Sequence, residues 1–258
     1  MYKLSITLAF CLILSICIAQ DNHQKEIERI QLKKLSDGIC LDFIRNSDLK
    51  DFEESSIQQI FIFRHGEPAM NKKGWKNRKE AIRYIEMYDS VGVYDFAQKP
   101  ICLREKDINI VYTSKLPRAI NTAEKTFNQS MPLESHALFN EFERKIIQFP
   151  NIKLPRQFWS VTTRIVWMMG FNKKGIESFS QAKDRSRRAA FFLNDKAEND
   201  ARLPCLAGRR AARQGKVILF SHGFMNKYIK RYLKKEGYKA VNLNGQKYLG
   251  AYYFYRIK

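Results

Sequence analysis

The sequence predicts an α/β fold in which helices cover a mostly parallel sheet. Apolar runs of strand length recur at residues 57–63, 108–112 and 216–220. The stretches between them have helical apolar spacing, and strands alternating with helices indicate a layered α/β domain. Two of the runs also end in a histidine followed by glycine: Arg64-His65-Gly66 and Ser221-His222-Gly223. In open α/β sheets the carboxyl ends of the strands are where ligands bind. The chain has only four histidines, so two in this setting suggest two imidazoles meeting at one site.

The elements follow in order. Residues 1–19 combine Lys3, an apolar run and the ending Cys17-Ile18-Ala19. They read as a secretory signal, with an uncleaved anchor facing outside the cytoplasm as the alternative. Residues 20–56 are polar and helix-prone and read as an N-terminal extension; the domain proper is residues 57–258. Residues 57–63 form the first strand and 71–75 a loop. Residues 78–91 have helical spacing through Ile82, Ile85 and Met87 and end near Gly92. Residues 108–112 form the second strand. A helix then begins with Pro117 in its first turn, where a missing N–H costs nothing, and runs to Phe127. Residues 133–139 read as a third strand and 156–169 as an aromatic-rich helix stopped by Gly170. Residues 177–193 form a long basic helix, 207–214 a short one, and 216–220 a strand. Residues 224–235 are helical with Gly237 as the cap, and strands at 240–243 and 248–257 close the sheet.

Composition is that of a globular chain: 258 residues, 45% hydrophobic and 28% charged. The formal net charge of +20 attracts anions. Phosphorylated small molecules or polymers fit this field. Nucleic acid does not fit well, because the basic runs Arg185-Ser186-Arg187-Arg188 and Arg209-Arg210 lack interleaved aromatics and read as solvated helix faces. Cys40, Cys102 and Cys205 remain after the signal. They are scattered and odd in number, with neither a disulfide framework nor a metal spacing.

The chemistry starts from charge. Arg64, His65, Arg118 and His222 form a positive pocket if they converge. Arg118 lies in Thr113-Ser114-Lys115-Leu116-Pro117-Arg118, at the start of a helix, where the backbone also favours an anion. Arginine forks match phosphate oxygens. Two arginines and two histidines around one anion point to a phosphoryl group.

On these residues the chain resembles the histidine phosphatase superfamily, the phosphoglycerate mutase-like group. Arg64 to Glu67 match its Arg-His-Gly-Glu motif. Ser114, Leu116, Arg118, Ala119, Thr122 and Ala123 match its second-arginine pattern. Phe139-Asn140-Glu141 resembles its acid segment, and Ser221-His222-Gly223 its second histidine motif. Asn71 stands where the family has a Trp-Asn pair, with Met70 in place of the tryptophan. The motifs come in the family's order from residue 57 onward.

The resemblance implies a three-layer α/β/α sandwich and a phosphomonoester hydrolase needing no metal or other cofactor. His65 is then the nucleophile that becomes phosphohistidine. Arg64, Arg118 and His222 hold the phosphoryl oxygens. Glu141 is the general acid and base, with Glu143, on the same face of an assumed strand, as the alternative. Asn71 and Glu67 bind phosphate or only shape the loop. A mutase and a non-catalytic phosphate- or polyanion-binding protein remain as alternative functions. Among the other candidates, Phe158, Trp159, Trp167 and Phe171 read as core or pocket wall. Lys72, Lys73 and Arg164 read as solvated charge, with an extension of the pocket toward a second phosphate as the alternative. His23 reads as solvated and His136 as packing.

Overall fold

In a computed structural model, residues 25–30, 33, 43, 57–96, 108–171, 174–202 and 214–257 are described. The expected signal, most of the extension, His23, Cys40, Cys102, Cys205, Arg209-Arg210 and residues 207–213 of the short helix lie outside them.

Eight strands and six helices are described: α1 (residues 25–30), β1 (Ile57–Arg64), β2 (Trp75–Lys76), α2 (Arg78–Ser90), β3 (Val111–Ser114), α3 (Pro117–Phe127), β4 (Leu133–His136), β5 (Leu154–Pro155), α4 (Arg156–Met168), α5 (Phe179–Arg202), β6 (Gln214–Ser221), α6 (Gly223–Lys235), β7 (Lys239–Leu243) and β8 (Ala251–Ile257). Six strands make one sheet in the order β4-β3-β6-β1-β8-β7. The pairs β4–β3, β3–β6 and β6–β1 are parallel, and β8 runs antiparallel between β1 and β7.

β1 shows why the sheet is central. Its alternate residues Ile57, Phe61 and Phe63 join one buried cluster with Ala123 and Phe127 of α3 and with Ile27 of α1. Ile60 and Ile62 point the other way, into a cluster with Ala189, Leu193 and Ala197 of α5 and Ile229 and Leu233 of α6. A strand covered on both faces reads as an unbroken apolar run because neither side meets water. The exceptions on β1 are bonded: Gln59 accepts from Tyr253 Oη at 2.6 Å, and Gln58 accepts from Arg256 Nε at 2.8 Å. Ile27 and Phe43 are buried in the same core, with Phe43 edge-on to Phe61 at 5.1 Å. At these two points the expected extension is part of the domain's core.

Several boundaries move. The second strand begins at Val111, not residue 108, and takes in Thr113 and Ser114, which pair with β4. Residues 137–139 leave the sheet as a 3₁₀ turn. The basic helix extends to Arg202, and Gln214 is already strand. A second layer forms where β2 pairs with β5, and where Ala81 of α2 and Trp159 of α4 bury together with Ile146 and Ile147. This layer delivers the end of α2 and residues 141–144 to the carboxyl ends of β1 and β6.

Candidate active site

The two histidines arrive through main-chain pairing. β1 and β6 run parallel in register, so Arg64 lies opposite Ser221. The His65 N–H continues the ladder onto Ser221 O at 3.0 Å. The chain then turns at Gly66, whose N–H donates to Thr122 Oγ1 of α3 at 2.9 Å. The His65 and His222 rings end 5.1 Å apart, both buried.

Hydrogen bonds fix what each ring can do. His65 Nδ1 lies 2.7 Å from Gly66 O. A carbonyl only accepts, so Nδ1 carries the proton and Nε2 presents a lone pair. His222 Nε2 lies 2.7 Å from Ser114 Oγ, which itself accepts from Leu116 N at 3.2 Å. Ser114 can then donate to Nε2, which leaves the His222 proton on Nδ1. Burial, then Arg118, Arg64 and Lys72, hold the His65 pKa well below 6.5, against the opposing Gly66 bond. Burial likewise holds His222 well below 6.5, followed by Arg118, His65, Arg144 and Arg64. Both rings are neutral at pH 7, so the fixed positive charge comes from the arginines.

Arg118 is buried at the start of α3, with Pro117 in the first turn. Its Nη1 donates to Tyr88 O at 2.9 Å and to Asp89 Oδ1 at 3.1 Å, and its guanidinium lies 4.5 Å from the Tyr88 ring centre. Arg144 covers the same ring at 4.7 Å and reaches Asp89 at 3.5 Å. Arg64 lies over Tyr248 at 4.4 Å, and its Nη1 donates to Gln246 O. Arg64 Nε, Arg118 Nε and Nη2, and His222 Nδ1 are buried and have no hydrogen-bond partner. Buried donors are normally paired. These four donors are ones that the oxygens of an anion could complete.

Glu141 is held from both sides. Every carbonyl of residues 138–143 accepts a side-chain hydrogen bond. Arg185 of α5 donates to Leu138 O, Asn140 O and Glu141 O at 3.2, 2.7 and 3.4 Å. Ser221 Oγ donates to Phe139 O at 2.7 Å, and Arg164 of α4 reaches Phe142 O and Glu143 O at 3.1 and 3.0 Å. The Glu141 carboxylate accepts from Phe142 N at 2.9 Å and from Phe224 N and Met225 N at 3.3 Å, which caps α6. Its field reaches Arg118, Tyr88 and Arg164.

The segment is not a strand, so alternation does not aim Glu143 at the same place. Glu143 is exposed, and its Oε2 accepts from Glu177 N at 2.6 Å. Asn71 and Glu67 are exposed as well. Asn71 Oδ1 accepts from Lys73 N at 2.9 Å, and Glu67 pairs with Lys72 at 2.5 Å. These are bonds within the loop. Lys72 lies 4.3 Å over Tyr248, beside Arg64.

Two readings need correction. Arg164 is buried, and burial lowers its pKa to about 10. It sits three residues before the buried Trp167, on the inward side of α4, a spacing that could have revealed it. Arg185 is part-buried and also pairs with Glu177 at 2.5 Å, so it is not a solvated face. Tyr88, Asp89, Arg144 and Tyr248 carry no motif that marks them. His136 packs against Phe139 and Phe192 and bonds to Glu134. Trp159 and Trp167 are core residues, whereas Phe171 is exposed.

Residues 60–251 match the family model described as histidine phosphatase superfamily (branch 1). Similar solved structures include a phosphoglycerate mutase from Bacillus anthracis, at 14% identity and TM-score 0.47 over 79% of this chain and 89% of that one. A phosphoserine phosphatase from Entamoeba histolytica has 13% identity and TM-score 0.42 over 78% and 94%. A mycobacterial glucosyl-3-phosphoglycerate phosphatase has 15% identity and TM-score 0.39 over 69% and 80%. No curated protein sequence matches this chain.

Proposed function

Since the chain belongs to the histidine phosphatase superfamily, branch 1, we propose that it is a phosphomonoester hydrolase that works through phosphohistidine on His65. The observation that carries this reading is the set of buried, unpartnered donors on Arg64, Arg118 and His222 around a neutral His65. In this mechanism the anion completes those hydrogen bonds. His65 Nε2 attacks phosphorus, the P–O bond to the leaving group breaks, and the leaving oxygen takes a proton from Glu141. Water, deprotonated by Glu141, then attacks phosphorus, the P–N bond to His65 Nε2 breaks, and phosphate leaves with His65 restored. Arg64, Arg118 and His222 stabilise the charge on the transferring group. Asn71 and Glu67 shape the loop. The reading includes export, on the strength of the apolar residues 4–19 alone.

The test is hydrolysis of p-nitrophenyl phosphate in EDTA, beside His65→Ala. The expected result is EDTA-resistant turnover that falls at least about 10³-fold in the variant, together with acid-labile phosphate on the wild type only. Turnover that requires a bisphosphorylated primer would support a mutase. Saturable vanadate binding without turnover would support a binding protein.

A further inference from the structure

Residues 144–176 contain seven Lys and Arg and no Asp or Glu. Eleven large apolar side chains are exposed among the described residues, and seven of them fall in this segment. Their core is one side of α4 and the turn after it: Val161 is 56% exposed, Ile165 51%, Met168 40%, Met169 68% and Phe171 63%. Val161, Ile165 and Met168 follow at steps of four and three residues, which keep side chains on one helix face, and Met169 and Phe171 continue past its end. The inward side of α4 carries Trp159, Thr163, Arg164 and Trp167, yet its solvent side carries Val161, Ile165 and Met168. A contiguous exposed apolar patch marks an interaction site.

Charge selects the occupant. Arg144 reaches Asp89 and Arg164 the carbonyls of Phe142 and Glu143, whereas Lys145, Lys153 and Lys174, which flank α4 in the sequence, are exposed, with Lys145 Nζ donating to Lys174 O at 2.6 Å. A second copy would bring the same acid-free, cationic segment against it, on a chain of net charge +20. An anionic lipid surface offers phosphate and carboxylate groups to the lysines and acyl chains to the stripe. Trp75, 64% exposed on β2 and paired to Pro155, supplies an aromatic of the kind that sits at such an interface. No helix among the described residues is long and apolar enough to cross a membrane. We propose that the outer face of α4 and its flanking lysines seat the protein on the surface of an anionic phospholipid bilayer. This inference does not rest on the hydrolase reading.

The experiment is sedimentation of the full chain with phosphatidylcholine vesicles, with and without phosphatidylserine. The comparison variants are Ile165→Asp with Met169→Asp, and a triple change of Lys145, Lys153 and Lys174 to Glu. Wild type should bind only the anionic vesicles. Both variants should bind at least about tenfold more weakly, with nitrophenyl phosphate hydrolysis unchanged. The chain has three tryptophans, and Trp159 and Trp167 are buried. A blue shift of emission on adding vesicles therefore reports Trp75. Three results overturn the proposal: no binding by wild type, undiminished binding by the apolar variant, or a wild-type dimer that the apolar variant abolishes.

Discussion

The strand ends and the segment carrying Glu141 meet at one site but are held differently. Arg64, His65, Ser221 and His222 are placed by the sheet, because parallel pairing of β1 and β6 brings both histidines to the same edge. Residues 138–143 have no such ladder. They are held by side chains reaching in from α4, α5 and β6 to every carbonyl. Main-chain placement follows from an apolar pattern that any strand shows. Side-chain placement depends on arginines that look like surface charge until the helices are packed.

Loss of Glu141 tests the second region most severely. Glu141→Ala should slow alkyl phosphates about 10²–10³-fold and nitrophenyl phosphate less than about tenfold, since nitrophenolate leaves without a proton. Equal losses on both substrates would remove Glu141 as the acid.

Arg185→Met probes the same segment without touching substrate. It leaves three carbonyls and the Glu177 carboxylate short of a donor, with an expected stability loss of about 2–3 kcal/mol on chemical denaturation. Turnover of alkyl phosphates should fall about tenfold more than that of nitrophenyl phosphate, the sign of a displaced acid. Arg185→Lys should recover part of the stability. A uniform fall on both esters would mean that Arg185 supports the fold and not the aim of Glu141.

The strand ends have their own signature in pH. Both histidines have folded pKa values well below 6.5. Below about pH 6.5 the unfolded chain gains protons at these positions that the folded chain refuses, so their contribution to stability falls as pH falls and is constant above. Each adds a slope of about 1.4 kcal/mol per pH unit between the two pKa values. Denaturation of His65→Asn should show a smaller loss of stability than the wild type as the pH falls below 6.5. An unchanged slope would mean that His65 protonates normally in the fold.

The smallest effect belongs to the loop. Asn71→Ala should change kcat and KM by no more than about twofold, because its side chain bonds only within the turn and is exposed. A tenfold rise in KM would make Asn71 a substrate ligand and blur the contrast between a sheet-built site and its surrounding loop.

Local pattern alone carries the layered α/β order, the strand ends bearing His65 and His222, and the Arg118 helix with Pro117 in its first turn. These are local facts: apolar periodicity, glycine after histidine, and proline's lack of a donor. Family motifs added Glu141 to that set. Packing is what turns the Glu141 carboxylate onto the start of α6 and Glu143 out onto Glu177 N, since residues 140–153 are not a strand and alternation does not apply. It also brought Tyr88, Asp89, Arg144 and Tyr248 to the site and turned Arg164 and Arg185 inward. Those positions arise from contacts between residues 21 to 184 apart. Their physical cause is the need of buried carbonyls and guanidiniums for partners, which no run of neighbouring residues displays.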